Sequence, residues 1–241
     1  NGSSVIELYP EEIHQKIEGN WEEIEKTLVL QKTIHDYTYT SKHKNWKVQM
    51  PKEMNAETGL TITKDGHEIT LYLESEIRKS DNLQMNGEMS VHETSPSAVK
   101  EDENEKTKLN YNEVYPNTDV SYEIDDTRVK ESIVIKDYDA SLSGYLYVLN
   151  TSSLIPVLND KKEIELITKD TKEAVMIIKA PYLIDSAGKI SEDVEVELVS
   201  KGESYLLMYS LPKGWMKEEE RVWPVILDPT IEEAALLMSR K

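Results

Sequence analysis

The chain has 241 residues, 38% of them hydrophobic, with 46 acidic against 28 basic side chains and a formal net charge of −18. That balance argues against nucleic acid or an anionic membrane as a partner, because holding phosphates takes Lys or Arg to displace counterions. With no Cys there are no disulfides, thiolate nucleophiles or Cys-based zinc sites, and with no Phe the aromatic core falls to 13 Tyr and four Trp.

Residues 5–31 open the chain. The segment EIHQKIEGNWEEI fits a helical period through Ile13, Ile17, Trp21, Ile24 and Leu28. It also reads as a hairpin turning at Gly19-Asn20. The hairpin is favoured, because Gly-Asn inside a helix costs about 1 kcal/mol or more. The opening NGSSVIELYPEE lacks a signal-peptide pattern and reads as the start of an excised fragment. No stretch approaches the roughly 20 apolar residues of a spanning helix.

Residues 36–50 alternate Tyr37, Tyr39, then Trp46, Val48, Met50 around the polar break SKHKN, a second hairpin. Residues 60–74 form the clearest one. Leu60 and Ile62 face one way on the first arm, Ile69, Leu71 and Leu73 on the second, and Asp65-Gly66 is a type I′ turn pair. Residues 75–108 turn polar, with Ser95-Pro96-Ser97 and the charge run 100–106; edge pairing near Met85–Val91 is allowed.

Strand pattern returns over 109–150, through Val120, Tyr122 and Ile124, Ile133 and Ile135, and Tyr145, Tyr147 and Leu149. Residues 154–179 predict a hairpin turning at Asn159-Asp160, then a doubly buried strand Ala174–Ile178. Residues 194–211 predict a hairpin around Gly202, and Val222–Leu227 a closing strand between Pro224 and Pro229 at a sheet edge or strand start. Residues 231–241 are compatible with a helix. The layout of 46–74 echoes that of 145–169, strand, loop, strand, acidic turn and alternating strand, which suggests a repeated β unit.

The fold expected is mainly β, two packed sandwich-like halves with hairpin connections and few short helices. The divisions are an N-terminal half, 1–92, an acidic connection, 93–108, a C-terminal half, 109–230, and a tail or linker, 231–241.

Reactive constellations are sparse. His14, His35, His43, His67 and His92 are scattered without metal-ligand spacing, and His67 after its turn should face solvent. G-x-S-x-G is absent; Ser141–Gly144 reads as a turn, and a Ser-His-Asp triad has nothing in its favour. Among so many carboxylates, Glu101-Asp102-Glu103 and Glu218–Glu220 read as solvated runs rather than a glycosidase pair. Calcium is the one cofactor left open, through Asp119, Asp125 and Asp126, although EF-hand spacing is missing. Tyr37, Tyr39 and Trp46 would make a sugar-stacking platform if exposed and core if buried. Asn150-Thr151-Ser152 matches an N-glycosylation triplet of the kind that arises by chance. No catalytic, cofactor-binding or metal-ligating residue is assigned.

Four phrases, taken in order, carry a resemblance: PEEIHQKIEGNWEEIEKTL (10–28), YNEVYPNTDVSYEIDDTRVKESIVI (111–135), APYLIDSAGK (180–189) and RVWPVILDPT (221–230). Over about 220 residues the chain resembles the amino-terminal β-rich region of bacterial secreted proteins with DNRLRE domains and RHS/YD repeats, of the wall-associated type. Glu25, Trp223 and Tyr147 depart from that pattern conservatively. The resemblance implies an extracellular or cell-wall-associated bacterial module without catalysis, structural or adhesive, in a large surface or polymorphic-toxin protein. Neighbouring domains of the same polypeptide, and cell-wall or host glycan, would be its partners. The other reading is a carbohydrate-binding module. Lys130-Glu131, on alternating faces, should set one charge against an inner acidic or basic partner.

Overall fold

In the computed structural model the described residues are 14–17, 20–23, 28–32, 37–41, 46–55, 57–78, 90–93, 97–101, 107–125 and 127–234. They are mainly β. Two antiparallel sheets make up most of the molecule, with a small two-stranded pair beside them and, among the described residues, a single short helix, Lys213–Met216.

The nine-stranded sheet runs Glu195–Lys201, Ser204–Ser210, Leu142–Thr151, His67–Arg78, Leu60–Lys64, Trp46–Pro51, Tyr37–Ser41, Leu28–Lys32, with Ser90–Glu93 also on His67–Arg78. The twelve-stranded sheet runs Leu154–Leu158, Ile164–Thr168, Ala174–Ile178, Thr230–Glu233, Arg128–Ile135, Thr118–Ile124, Lys108–Tyr115, Ser97–Glu101, Glu53–Met54. Val225–Asp228 also pairs with Arg128–Ile135, Tyr182–Asp185 lies beyond it, and Ile190–Ser191 is outermost. Each sheet takes strands from both sides of residue 100. Leu142–Thr151 and the hairpin after Glu195 complete the sheet begun by Leu28–Lys32, and Glu53–Met54 crosses to the other.

Period-2 alternation builds this arrangement. Along Leu60–Lys64 and Arg128–Ile135, buried and less buried residues alternate strictly. The buried faces meet in one core: Trp46, Ile62 and Leu71 from one sheet share a cluster with Ile133, Leu166 and Val225 from the other. Each such aliphatic side chain contributes roughly 1.5–3 kcal/mol on burial. Tyr111, Tyr115, Tyr145, Tyr147 and Tyr209, each at most 1% exposed, occupy the places Phe would take. Their hydroxyls bring a polar requirement into the core. Tyr111 Oη donates to the Pro51 carbonyl at 2.6 Å and Tyr115 Oη to the Leu73 carbonyl at 3.5 Å, both across to the opposite sheet.

The turn chemistry explains where sequence and structure agree. His14–Ile17 and Asn20–Glu23 pair with Ile17 opposite Asn20, so Asn20 starts the second strand rather than turning the hairpin. Lys64 faces His67 across Asp65 (φ 50°) and Gly66 (φ 81°), the left-handed pair a type I′ turn demands. Lys201 faces Ser204 with Gly202 at φ 66°.

Several expectations are corrected. Leu158 faces Ile164, so the turn at Asn159-Asp160 is a five-residue loop. Asn159 Oδ1 closes it, accepting from the amides of Lys161 and Glu163, and Lys162 takes the positive φ. Ala174–Ile178 is buried on one face only, through Met176 and Ile178. Val225–Asp228 is no edge strand; it lies between Arg128–Ile135 and Tyr182–Asp185. Pro229 interrupts the pairing opposite Glu131, where its missing N–H leaves only its carbonyl, which accepts from the Glu131 amide at 3.1 Å. Thr230–Glu233 then continues as a strand, where a tail or linker compatible with a helix was expected from residue 231. The echo between 46–74 and 145–169 is no repeat. Within 46–74 the chain visits the twelve-stranded sheet only for Glu53–Met54 and returns to the nine-stranded sheet at Leu60–Lys64, whereas after Thr151 it passes to the twelve-stranded sheet at Leu154 and stays there through Thr168. Within the polar stretch, Ser97–Glu101 is a strand that pairs with Lys108–Tyr115.

Candidate functional site

Three of the four phrases singled out in the sequence meet on neighbouring strands of the twelve-stranded sheet. Lys130 and Glu131 come from Arg128–Ile135, Tyr182 and Asp185 from Tyr182–Asp185, and Asp228 from Val225–Asp228. Antiparallel pairing brings Tyr182 opposite Asp228 and Asp185 opposite Val225. Three polar clusters result.

Alternation sends Lys130 outward and Glu131 inward. Lys130 Nζ lies 2.8 Å from Asp228 Oδ2, which also accepts from Tyr182 Oη at 2.7 Å; Thr230 Oγ1 donates to Asp228 Oδ1 at 3.1 Å. The hydrogen bond to Asp228 holds the Lys130 ammonium above its ordinary range, against the opposing effect of burial. The same carboxylate, with burial, pushes the Tyr182 phenol up.

Among the described residues Glu131 has no cationic partner. Its inward carboxylate accepts from Tyr122 Oη at 2.5 Å, on the neighbouring strand, and from Tyr147 Oη at 3.1 Å, on the opposite sheet. Tyr209 stacks edge-on against Tyr147, with ring centroids 5.5 Å apart. Its hydroxyl is buried without a hydrogen-bond partner among the described residues. Burial drives the Glu131 carboxyl up to about 7; the two phenol donors oppose this and the Asp228 charge adds to it. The partner expected for this residue is therefore neither acidic nor basic, but a pair of phenols.

Asp185 is the opposite case. Its side chain and that of Arg221 are 0% and 1% exposed and form an ion pair at 2.9 Å. Asp185 Oδ1 accepts from the amides of Ala187 and Lys189, and Oδ2 also from the Val222 amide. Burial pushes its carboxyl up, but the Lys189 amide, Arg221 and the other amides outweigh this and hold it below its ordinary value. Arg221 is itself fully engaged. Nε donates to the Trp215 carbonyl, Nη2 to Glu218, and the guanidinium lies 3.4 Å from the Trp215 ring centroid. Glu218, read as a solvated residue, thus anchors Arg221, while Glu220 pairs with Lys189.

A second buried carboxylate faces the core from the other sheet. Glu76 accepts from Thr118 Oγ1 at 3.0 Å across the sandwich and pairs with Arg78 at 2.6 Å. Burial raises its carboxyl despite Arg78. Arg78 also reaches Asp139. Burial opposes ionisation there too, but Ser141 and Arg78 hold Asp139 down to about 2.

The remaining sequence candidates disperse. Trp46 and Tyr39 are 1% and 8% exposed, so they are core rather than a stacking platform. The side chains of Tyr37, His14 and His92, and all of His35, His43 and Asp126, lie outside the described residues. Asp119 pairs with Lys136 and Asp125 with Arg128, near opposite ends of one strand. No group of three or more potential metal ligands occurs among the described residues. Asn150 lies in Leu142–Thr151 with its side-chain oxygen buried, unlike an accessible glycosylation loop. Sequence reading missed one pair: His67 is half-buried, with Nδ1 2.6 Å from Ser153 Oγ. The 86 positions separating them leave no local signal. Among the described residues the ring has no carboxylate to orient it, the third member a triad requires.

No protein-family model matches the chain. Curated proteins do. The chain is 25% identical over 235 residues to the tRNA(Glu)-specific nuclease WapA of Bacillus subtilis subsp. natto (strain BEST195). It is 23% identical over 234 residues to the tRNA3(Ser)-specific nuclease WapA of Bacillus spizizenii, and 24% over 234 residues to the tRNA nuclease WapA of Bacillus subtilis (strain 168). Each match covers 93% of this chain, which spans 9% of the length of these relatives.

These matches correct the functional expectations. The relatives are named as tRNA nucleases, not for DNRLRE domains or RHS repeats, so the resemblance drawn from the phrases does not stand as stated. The same names overturn a non-catalytic structural or adhesion module, the absence of enzyme activity and the exclusion of nucleic acid. The charge argument failed for a physical reason. A net charge of −18 belongs to these 241 residues, whereas the relatives are matched over 9% of their length. The field of one part does not fix the surface that meets the substrate.

Proposed function

We propose that this chain is part of a bacterial, cell-wall-associated tRNA nuclease of the WapA kind, and that the polypeptide carrying it cleaves tRNA. The observation that carries this reading is the match across 93% of the chain to three proteins of that name. Arg221–Asp185 and Lys130–Asp228 fix the strands formed by three of the quoted phrases, which gives those phrases a role in holding one fold.

The test is cleavage. The natural full-length polypeptide, incubated with total tRNA and resolved on a denaturing gel, is expected to give discrete tRNA fragments. Intact tRNA beside an active control nuclease would overturn the reading. The isolated 241-residue chain, run in parallel, assigns the cleavage to these residues or to the rest of the polypeptide.

A further inference from the structure

We propose that Glu131, clasped between Tyr122 of its own sheet and Tyr147 of the facing sheet, is a proton-operated latch that tightens the sandwich in mild acid and loosens it as the proton leaves.

The geometry sets two demands against each other. Two phenols donating to separate carboxylate oxygens, at 2.5 and 3.1 Å, suit an ionised Glu131. Everything else opposes the charge. The residue is 5% exposed, and the groups facing it are phenols or anions. Tyr122 comes from Thr118–Ile124, Tyr147 from Leu142–Thr151, and Tyr209 from Ser204–Ser210. Asp228, from Val225–Asp228, adds a negative charge, and Lys130 on Glu131's own strand points outward to Asp228. A buried anion without a cation is expensive in a low-dielectric interior. The proton is therefore held far more tightly than on a solvated glutamate, and burial places its release near neutrality.

The latch also occupies a position from which it can act on the whole fold. Glu131 accepts from Tyr147 across the interface between sheets, and Tyr147 packs on Tyr209, whose hydroxyl has no partner among the described residues. Loss of the proton puts a charge into this interface with no counter-ion, and the sheets must part or admit water to solvate it. Among the described residues the other buried carboxylates, Glu76, Asp185 and Asp228, each have a cation, Arg78, Arg221 and Lys130, and are not exposed to this choice.

Thermal melts of the wild-type chain and of Glu131→Gln from pH 5 to pH 8.5 test the proposal, with backbone hydrogen exchange on the wild type as the second arm. The wild type is expected to lose melting temperature relative to Glu131→Gln as pH rises, most of it below pH 7.5. Amides of Arg128–Ile135 and Leu142–Thr151 are expected to lose protection at least tenfold between pH 6 and 8.5, after correction for intrinsic exchange. Parallel melting profiles would overturn the latch. If Glu131→Gln does not fold, unchanged protection in the wild type would overturn it alone.

Discussion

Two carboxylates buried in the same sheet, Asp185 and Glu131, lie on strands separated only by Val225–Asp228, yet they behave in opposite ways. Asp185 is surrounded by donors: a guanidinium and three backbone amides hold it ionised below its ordinary range. Glu131 has two phenols and a nearby anion, and burial lifts it to about 7. Burial alone does not decide a carboxylate's state; the charge of its partners does. Asp185 belongs to a fixed structural joint, in which Arg221 is pinned by Trp215 and Glu218. Glu131 belongs to a joint whose strength depends on proton supply.

Removing the cation from the fixed joint should have the largest effect. Arg221→Met strands a buried Asp185 and unclamps Trp215; the melting temperature should fall by roughly 10 °C, measured by calorimetry at pH 7. A loss no larger than that of a surface Arg variant would break the contrast.

Second comes the pH dependence. Between about 4.5 and about 7 the folded chain keeps a proton on Glu131 that the unfolded chain has released. Stability therefore falls as pH rises through that window, by on the order of 3 kcal/mol in all. Asp139 and Asp185 act with the opposite sign and in a lower range. Their folded values lie below the ordinary 3.8, so the stability they lend is present above it and lost as acid carries the pH below it. Urea titrations at several pH values should show both limbs. Because Glu76 is also raised, the Glu131 share is read as the difference between wild type and Glu131→Gln.

Tyr147→Phe removes one donor to Glu131. It should cost about 1 kcal/mol at pH 6 and move the Glu131 midpoint upward, since the charged form loses a bond. Smallest is Lys130→Met. The Lys130 side chain is 43% exposed, so its pair with Asp228 contributes roughly half a kcal/mol after solvent screening. Its loss should still raise the Glu131 midpoint slightly, by leaving Asp228 uncompensated, and salt should mask that rise.

The β architecture was legible in the sequence because period-2 alternation and Gly-containing turns are local. Leu60–Leu73 around Asp65-Gly66 needed nothing beyond its own residues. Where the deciding partner was distant, reading failed. Ala174–Ile178 looks buried on both faces because Val175 and Ile177 are as apolar as Met176 and Ile178, and only the folded chain shows that the second pair alone is fully covered. Thr230–Glu233 becomes a strand because Arg128–Lys130 and Met176–Ile178 flank it, which its own helix-compatible sequence does not announce. The alternation of Lys130 and Glu131 was visible, but Tyr147 was needed to say what the inner charge meets. Asp185 and Arg221 stand 36 residues apart, and His67 and Ser153 86, beyond any motif window. Charge misled most. A net charge of −18 describes these 241 residues, which span 9% of the length of the WapA relatives, and it does not fix the surface with which those proteins meet tRNA.

The most direct measurement is the carboxyl-carbon NMR titration of Glu131 in the folded wild-type chain, assigned by comparison with Glu131→Gln or, should that variant fail to fold, with Tyr147→Phe. The midpoint expected is near 7, well above the 4.5 of a free glutamate, while Asp185 stays ionised throughout. A Glu131 midpoint at or below 4.5 would contradict the latch, since two phenols would then stabilise a buried charge as well as an arginine does.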